Sequence, residues 1–320
     1  MGSGEDKRAG NVMTVEGPIP AEAMGITLSH EHLLVQGWDH QDPNYFYSAY
    51  LELEPYTTAG GKTIVDLTSI GQVRDPAYVT RLARKASLQL VLGTGFYKEA
   101  WLPAEVREMT VQQMTDLMVA EIVDGIGGTS IKAGVIGEIG ISSPIQPTEK
   151  KTLAACAEAH CATGAAIVLH FDLAANGSER QLALDILEAE GADLSRVVVS
   201  HLVPRPDNFE LVMELAGRGC YVGFDLFGQE RWPLAKDLIG TDPEVQISSV
   251  RGFLDYGLLD KILISQNVCH MTHFTVNGGL GYGHVLNDVV PQLKQYGVTE
   301  QEIHSILVEN PARLIPFQAA

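Results

Sequence analysis

His30 and His32 flank Glu31 in the segment GITLSHEH. On a β-strand, residues two apart face the same side, so both imidazoles can point into one site. A lone His-x-His pair carries little weight, because such pairs arise by chance. Two more histidines change that. His170 lies near the end of the apolar run AAIVLHFD and His201 near the end of RVVVSHL, so four of the ten histidines stand at the ends of short β-type runs. Neutral imidazole is the commonest metal ligand in proteins and suits zinc, iron, nickel or cobalt. Four imidazoles gathered away from water without a metal would be costly, because their polar nitrogens lose water and need other partners. Glu138 sits in the otherwise apolar GVIGEIG. A carboxylate there is costly unless it meets a cation, the alternative being an outward-facing Glu against a helix. Four histidines and a carboxylate are enough for two divalent ions. Two such ions repel and need an anionic bridge, and Glu138 is the candidate.

Other residues are weighed against plainer roles. Asn267, in ISQNVC, stands where a barrel metallohydrolase needs an acid. Its amide oxygen can accept a hydrogen bond or coordinate weakly but cannot take a proton near neutral pH; alternatively it only caps a turn. Tyr97, Trp101, Phe227 and Trp232 follow β-type runs and are candidate substrate walls, although aromatics are more often packing residues. Asp225 is a candidate ligand for metal or substrate, or a partner for Arg231, and Arg74 and Asp75 read as a loop ion pair. Cys269 lacks the companions of a cysteine nucleophile, and His270, His273 and His284 either line the mouth of the barrel or, as lone loop histidines more often are, are simply solvated.

These residues are spaced along one repeating pattern. Short apolar runs lie at 25–32, 62–69, 89–97, 133–142, 165–172, 196–202, 220–227 and 261–268, rich in β-branched residues as parallel strands buried on both faces are. Between them lie helical stretches, such as 76–87 with Pro76 at its start, 149–163, 177–191, and 207–219 with Asp207 as N-cap. Eight strand–helix units predict an α/β fold, a closed (β/α)8 TIM barrel with its metal site at the C-terminal ends of the strands. An open doubly wound sheet would want a Gly-rich turn after its first strand, and HEHLL stands there instead. The expected organisation is a flexible segment over 1–14 and a single barrel domain over 15–320. The long segments 33–61 and 228–246 follow strands one and seven, on the face where barrel enzymes keep their chemistry.

Composition sets outer limits. The 320 residues carry 40 Asp and Glu against 22 Lys and Arg, a formal charge of -18. So acidic a surface repels phosphate backbones and anionic lipid, which argues against nucleic acid and membrane partners; the partner expected at the candidate metal site is a small-molecule substrate. No apolar run reaches the ~18–20 residues of a membrane span. The opening MGSGEDKRAGNV lacks a signal-like apolar core, so a cytoplasmic location is expected. Four scattered cysteines suit neither a disulfide scaffold nor a Cys-x-x-Cys zinc site.

The segments VEGPIP, GITLSHEHLL, IVDLTS, LVLGTGFY, AGVIGEIGIS, IVLHFD, VVVSHL, GFDLFG, ILISQNVC and ILVENPAR together resemble the phosphotriesterase family of the amidohydrolase superfamily, from about Val15 to Pro316. GVIGEIG, GCYVGFDLFG and GGLGYGHVLNDVVP place the likeness nearer the phosphotriesterase-related branch than the lactonases. The resemblance implies two divalent ions, commonly zinc, with manganese, cobalt or nickel as alternatives, and a homodimer. It implies that His30 and His32 bind the buried ion, His170 and His201 the more exposed one, and that an aspartate at position 267 binds metal and accepts the proton. Here that position is Asn267, which implies an impaired enzyme. Many members bridge the ions with a carboxylated lysine, whose position aligns with Gly137; a bulge at Gly137 would turn Glu138 into its place. The implied reaction is attack by a metal-bridging hydroxide on a small carboxylic ester, lactone or amide. Phosphotriester hydrolysis is second, and a non-catalytic metal-binding barrel is the rival reading.

Overall fold

The computed structural model of the protein describes residues 9–40, 42–229 and 242–319. The chain opens with a hairpin in which β1 (Asn11–Thr14) pairs antiparallel with β2 (Gly17–Pro20). The expected flexible segment therefore overlaps an ordered element: residues 11–14 form a strand. Eight strands follow: β3 (Thr27–Glu31), β4 (Thr63–Asp66), β5 (Gln89–Thr94), β6 (Val135–Ile141), β7 (Ile167–Phe171), β8 (Val197–Val199), β9 (Tyr221–Phe224) and β10 (Ile262–Ile264). They form one sheet in sequence order, and every ladder is parallel. This is the expected barrel, nearly closed. All eight expected runs contain a strand, and β8 and β10 are only 3 residues long.

The seam between the first and last strands is closed by a side chain. Ser265 Oγ (2.6 Å), Gln266 N (3.1 Å) and Val268 N (2.7 Å) all donate to the Glu31 carboxylate. Backbone bonds from Asn267 N to the His30 carbonyl and from His32 N to the Val268 carbonyl (both 3.2 Å) complete the join. The middle residue of His-Glu-His thus ties β3 to the segment after β10.

Inside the barrel, Val65, Leu67, Val91, Val135, Val168, Val198 and Leu263 pack in one cluster with Val12, Met24, Leu314 and Ile315. The hairpin and the C-terminal residues thereby cover the end of the barrel remote from the histidines. A larger cluster fills the space between strands and helices. The helices begin where local chemistry starts them. In α1 (Pro43–Thr58), Asp42 accepts from Asn44 N; in α2 (Pro76–Ala86), Asp75 accepts from Tyr78 N; in α3 (Val111–Val123), Thr110 and Gln113 form a capping box. After α4 (Pro147–Thr163), α5 (Gly177–Ala189) is capped by Asn176 and Glu179. Asp207 is not an N-cap as expected. It lies in a single 3-10 turn, and α6 runs from Phe209 to Gly217.

Two of the smaller sequence expectations change. Arg74 does not pair with Asp75 but reaches across to Glu121 with both terminal nitrogens (3.1 and 2.8 Å). Asp225 meets His30, and Arg231 lies outside the described residues, as does Trp232.

Candidate metal centre

β6 carries the carboxylate. Its register against β7 slips between Ile136 and Ile139, where three steps along β6 face two along β7, so β6 bulges at Gly137. Gly137 adopts φ +149, and a Cβ there would come within 2.7 Å of Val168 Cβ, so glycine is needed at this point. The bulge turns Glu138 into the barrel, 1% exposed, as expected.

Three strand ends, those of β3, β7 and β8, bring the imidazoles to it. His30 Nε2 lies 3.1 Å from Glu138 Oε2, and His170 Nδ1 contacts the same oxygen. His32 Nε2 stands 3.6 Å from Oε1. His201 lies tilted against His170, ring centres 4.0 Å apart, and stacks on His30 at 5.3 Å. Ligand atoms of His30, Glu138, His170 and His201 all lie within 4.8 Å of one another, and all four residues are buried. His32 falls just outside that group but touches its carboxylate.

Each ring is oriented from behind. His30 Nδ1 makes a 2.8 Å ion-pair contact with Asp225 Oδ2, leaving Nε2 facing Glu138. His201 Nδ1 lies 3.1 Å from the Phe171 carbonyl, a pure acceptor, so Nδ1 carries the proton and Nε2 presents a lone pair. His32 Nδ1 is held by Thr68 Oγ1 (2.9 Å), and His170 Nε2 by the Tyr97 hydroxyl (3.1 Å). Such outer contacts fix tautomers and aim ring nitrogens in metal sites.

Electrostatics sort the rings. Burial, with neighbouring His170 and His30, holds His201 well below its ordinary pKa, so it stays neutral. His32 and His170 are also lowered, chiefly by burial. Burial acts against charge on His30 too, but Asp225 and Glu138 outweigh it and push its pKa up to about 10. Burial works to raise the Glu138 carboxyl, and the surrounding His170, His32 and His30 rings more than reverse this, holding it well below the usual carboxylate range.

Asn267 follows β10 in the left-handed region, φ 48, a conformation asparagine tolerates better than most residues. Its Nδ2 donates to His201 Nε2 (2.9 Å), while Oδ1 is buried with no hydrogen-bond partner. An unpartnered buried acceptor beside three imidazoles and a carboxylate is a donor set that suits a divalent cation.

The expected aromatic walls divide. Trp101, 54% exposed, lines a cleft of about 500 Å³ with His32, Gln36, Trp38, Thr68, Gln72 and Val73. Tyr97 is buried against His170. Phe227 packs in the core and edges a different hollow, beside Gln229 and Leu280. Burial pushes the Cys269 thiol up, so it is no thiolate nucleophile. Gln72 and Trp38 were not legible as site residues: glutamine and tryptophan in a loop carry no spacing signal.

A parallel barrel gathering buried imidazoles and a carboxylate at the carboxyl ends of its strands defines the class: a barrel hydrolase built around metal. Within that class, the chain belongs to the phosphotriesterase family, whose profile matches residues 10–315. It is 33% identical to the human N-acetyltaurine hydrolase, covering 97% of this chain and 99% of that protein. Among solved structures, it resembles a resiniferatoxin-binding protein from Rhodobacter sphaeroides at 30% identity and TM-score 0.88, covering 96% of this chain and 95% of that one. It also resembles a phosphotriesterase from Mycobacterium tuberculosis at 30% identity and TM-score 0.83, covering 97% and 99%. No helix among the described residues is long and apolar enough to cross a membrane.

Proposed function

We propose that the protein is a binuclear hydrolase acting on a small carboxylic ester, lactone or amide, with Asn267 lowering its turnover. The observation that carries this is the buried group of His30, Glu138, His170 and His201 within 4.8 Å, with His32 touching its carboxylate. His30 and His32 would hold one ion, His170 and His201 the other, and Glu138 would lie between, with zinc the first candidate. When bound, such ions lower the pKa of a water and polarise a carbonyl or phosphoryl oxygen. The chain's own residues do the rest. Asp225 and the Phe171 carbonyl hold the rings of His30 and His201, and Tyr97 holds His170. The cleft beside His32 receives the substrate between Trp38 and Trp101. Asn267 can steady a ligand through its amide but cannot accept a proton, so the step needing a base is slow.

The name of the human relative supports an amide; the substrate in that name carries a sulfonate, whereas the absence of Asp, Glu, Lys and Arg among the described residues of this cleft supports an uncharged amide here. A phosphotriester is the second reading, supported by the name of the M. tuberculosis neighbour. The test is elemental analysis after growth in zinc-supplemented medium, for the parent and for Glu138→Gln. About two ions in the parent and fewer in the variant are expected. One ion or fewer in the parent, or full retention by Glu138→Gln, would overturn the binuclear reading.

A further inference from the structure

The two oxygens of the Glu138 carboxylate are not equivalent. Oε2 faces His30 and His170. Oε1 lies 3.6 Å from His32 Nε2 and accepts a 2.7 Å hydrogen bond from Gln72 Nε2. The sense of that amide is fixed, because Ser69 N donates to Gln72 Oε1 at 2.8 Å, so the NH2 group must face Glu138. The backbone beneath is pinned as well. Ile70 N donates to the Gly95 carbonyl (2.9 Å) and Tyr97 N to the Ile70 carbonyl (2.8 Å), strapping the loop after β4 to the end of β5. Gly71 takes φ +109, where a Cβ would press on Tyr97 Cβ at 3.2 Å, so the close approach that delivers Gln72 depends on glycine.

A carboxylate that bridges two cations must turn one oxygen to each, and torsion about its last bond is soft. Left to the histidines alone, Glu138 can rotate and offer both oxygens to one side. A donor from outside the ring of imidazoles removes that freedom: it takes one lone pair of Oε1, leaves the other, and sets the plane of the group. Gln72 is neutral, so it orients the carboxylate without cancelling the charge that two cations need.

We propose that Gln72 is a positioning residue that holds the Glu138 carboxylate in its bridging orientation, an inference that rests on the binuclear reading above. Gln72 also lines the cleft, so it joins the substrate side of the site to the carboxylate.

The experiment is calorimetric zinc titration of the metal-free full chain, as parent, Gln72→Met and Gln72→Ala. Both variants remove the donor, Gln72→Met keeps most of the length, and Gln72→Ala stands in if the longer side chain disturbs the loop. The parent is expected to take two ions, and each variant to bind the second about 10–100-fold more weakly while the first changes little. The cobalt-loaded variants should likewise lose part of the two-ion absorption spectrum. In the Asn267→Asp background, kcat on phenyl acetate should fall while KM stays within about threefold. Two ions bound by both variants with unchanged affinities, equal weakening of both ions, or a lower melting temperature with an unchanged titration would each overturn the role given to Gln72 alone. A parent that takes fewer than two ions would overturn the binuclear reading and this one together.

Discussion

Asn267 concentrates the chemistry of the site in one amide. Its Nδ2 gives the lone pair of His201 Nε2 a donor, and its Oδ1 has none. Replacing it by aspartate removes that donor and sets two acceptors face to face in a buried pocket, a cost of about 1–3 kcal/mol. Metal-free Asn267→Asp protein should therefore melt below the parent, and zinc should close the gap, which scanning calorimetry of both forms would reveal. Loaded with metal, the same variant should turn over its best ester, lactone or amide roughly 10²–10⁴-fold faster, as a restored general base implies. Equal rates with matched metal content would remove position 267 from the chemistry. His30 makes a second claim at this scale. Its pKa in the metal-free protein is raised to about 10, so at neutral pH a proton occupies the nitrogen a cation needs. Apparent zinc affinity should rise by about tenfold per pH unit between pH 7 and 9, with proton release visible as buffer-dependent heats. An affinity flat across that range would mean that no proton has to leave His30 when the ion binds.

At the scale of elements, what could be read in advance follows a clear line. The histidines were legible because each sits near the end of an apolar run, and parallel strands must be apolar on both faces. The bulge was legible only through Gly137, one residue out of step with Glu138. Gln72, Trp38 and the Arg74–Glu121 pair were not, because loop side chains are placed by contacts distant in sequence, such as Gln72 with Glu138 across 66 positions. Asp207 misled because a good capping residue met a proline-initiated 3-10 turn instead. The bulge itself can be tested. Gly137→Ala should lose about 2 kcal/mol or more of stability, since a methyl group at φ +149 would meet Val168. It should also displace Glu138, so urea titration and zinc uptake should fall together. Intact zinc uptake in a destabilised variant would detach the bulge from the site.

For the whole molecule, the governing contrast is between a charge of -18 and a cleft without charged side chains among its described lining. The cations nearest in sequence to that cleft are engaged: Arg74 by Glu121 and Lys98 by Asp172. Anionic ligands are thus repelled at long range and meet no cationic side chain among the described lining of the cleft, so only the proposed ions would attract them. Acetanilide and 4-acetamidobenzenesulfonate differ by one sulfonate on the same amide. In the metal-free protein the neutral compound should bind at least about tenfold more tightly, read by quenching of tryptophan fluorescence and checked by calorimetry. Trp101→Ala should weaken acetanilide binding by several-fold with little change in melting temperature. Tighter binding of the sulfonate would show that a cation outside this cleft recognises the substrate.

The latch made by Glu31 has a consequence in time. All three donors to its carboxylate belong to residues 265–268, while the histidines on either side of it are made more than two hundred residues earlier. A chain growing from its N-terminus holds His30 and His32 long before anything can fasten the strand that carries them. The barrel seam and the binding site should therefore come into being in one act, once residues 265–268 have been made. Nascent chains halted at residue 260 should capture no zinc at concentrations that fill the released protein. Chains halted with residue 320 clear of the ribosome should capture it fully, so that metal loading waits for the last strand of the barrel.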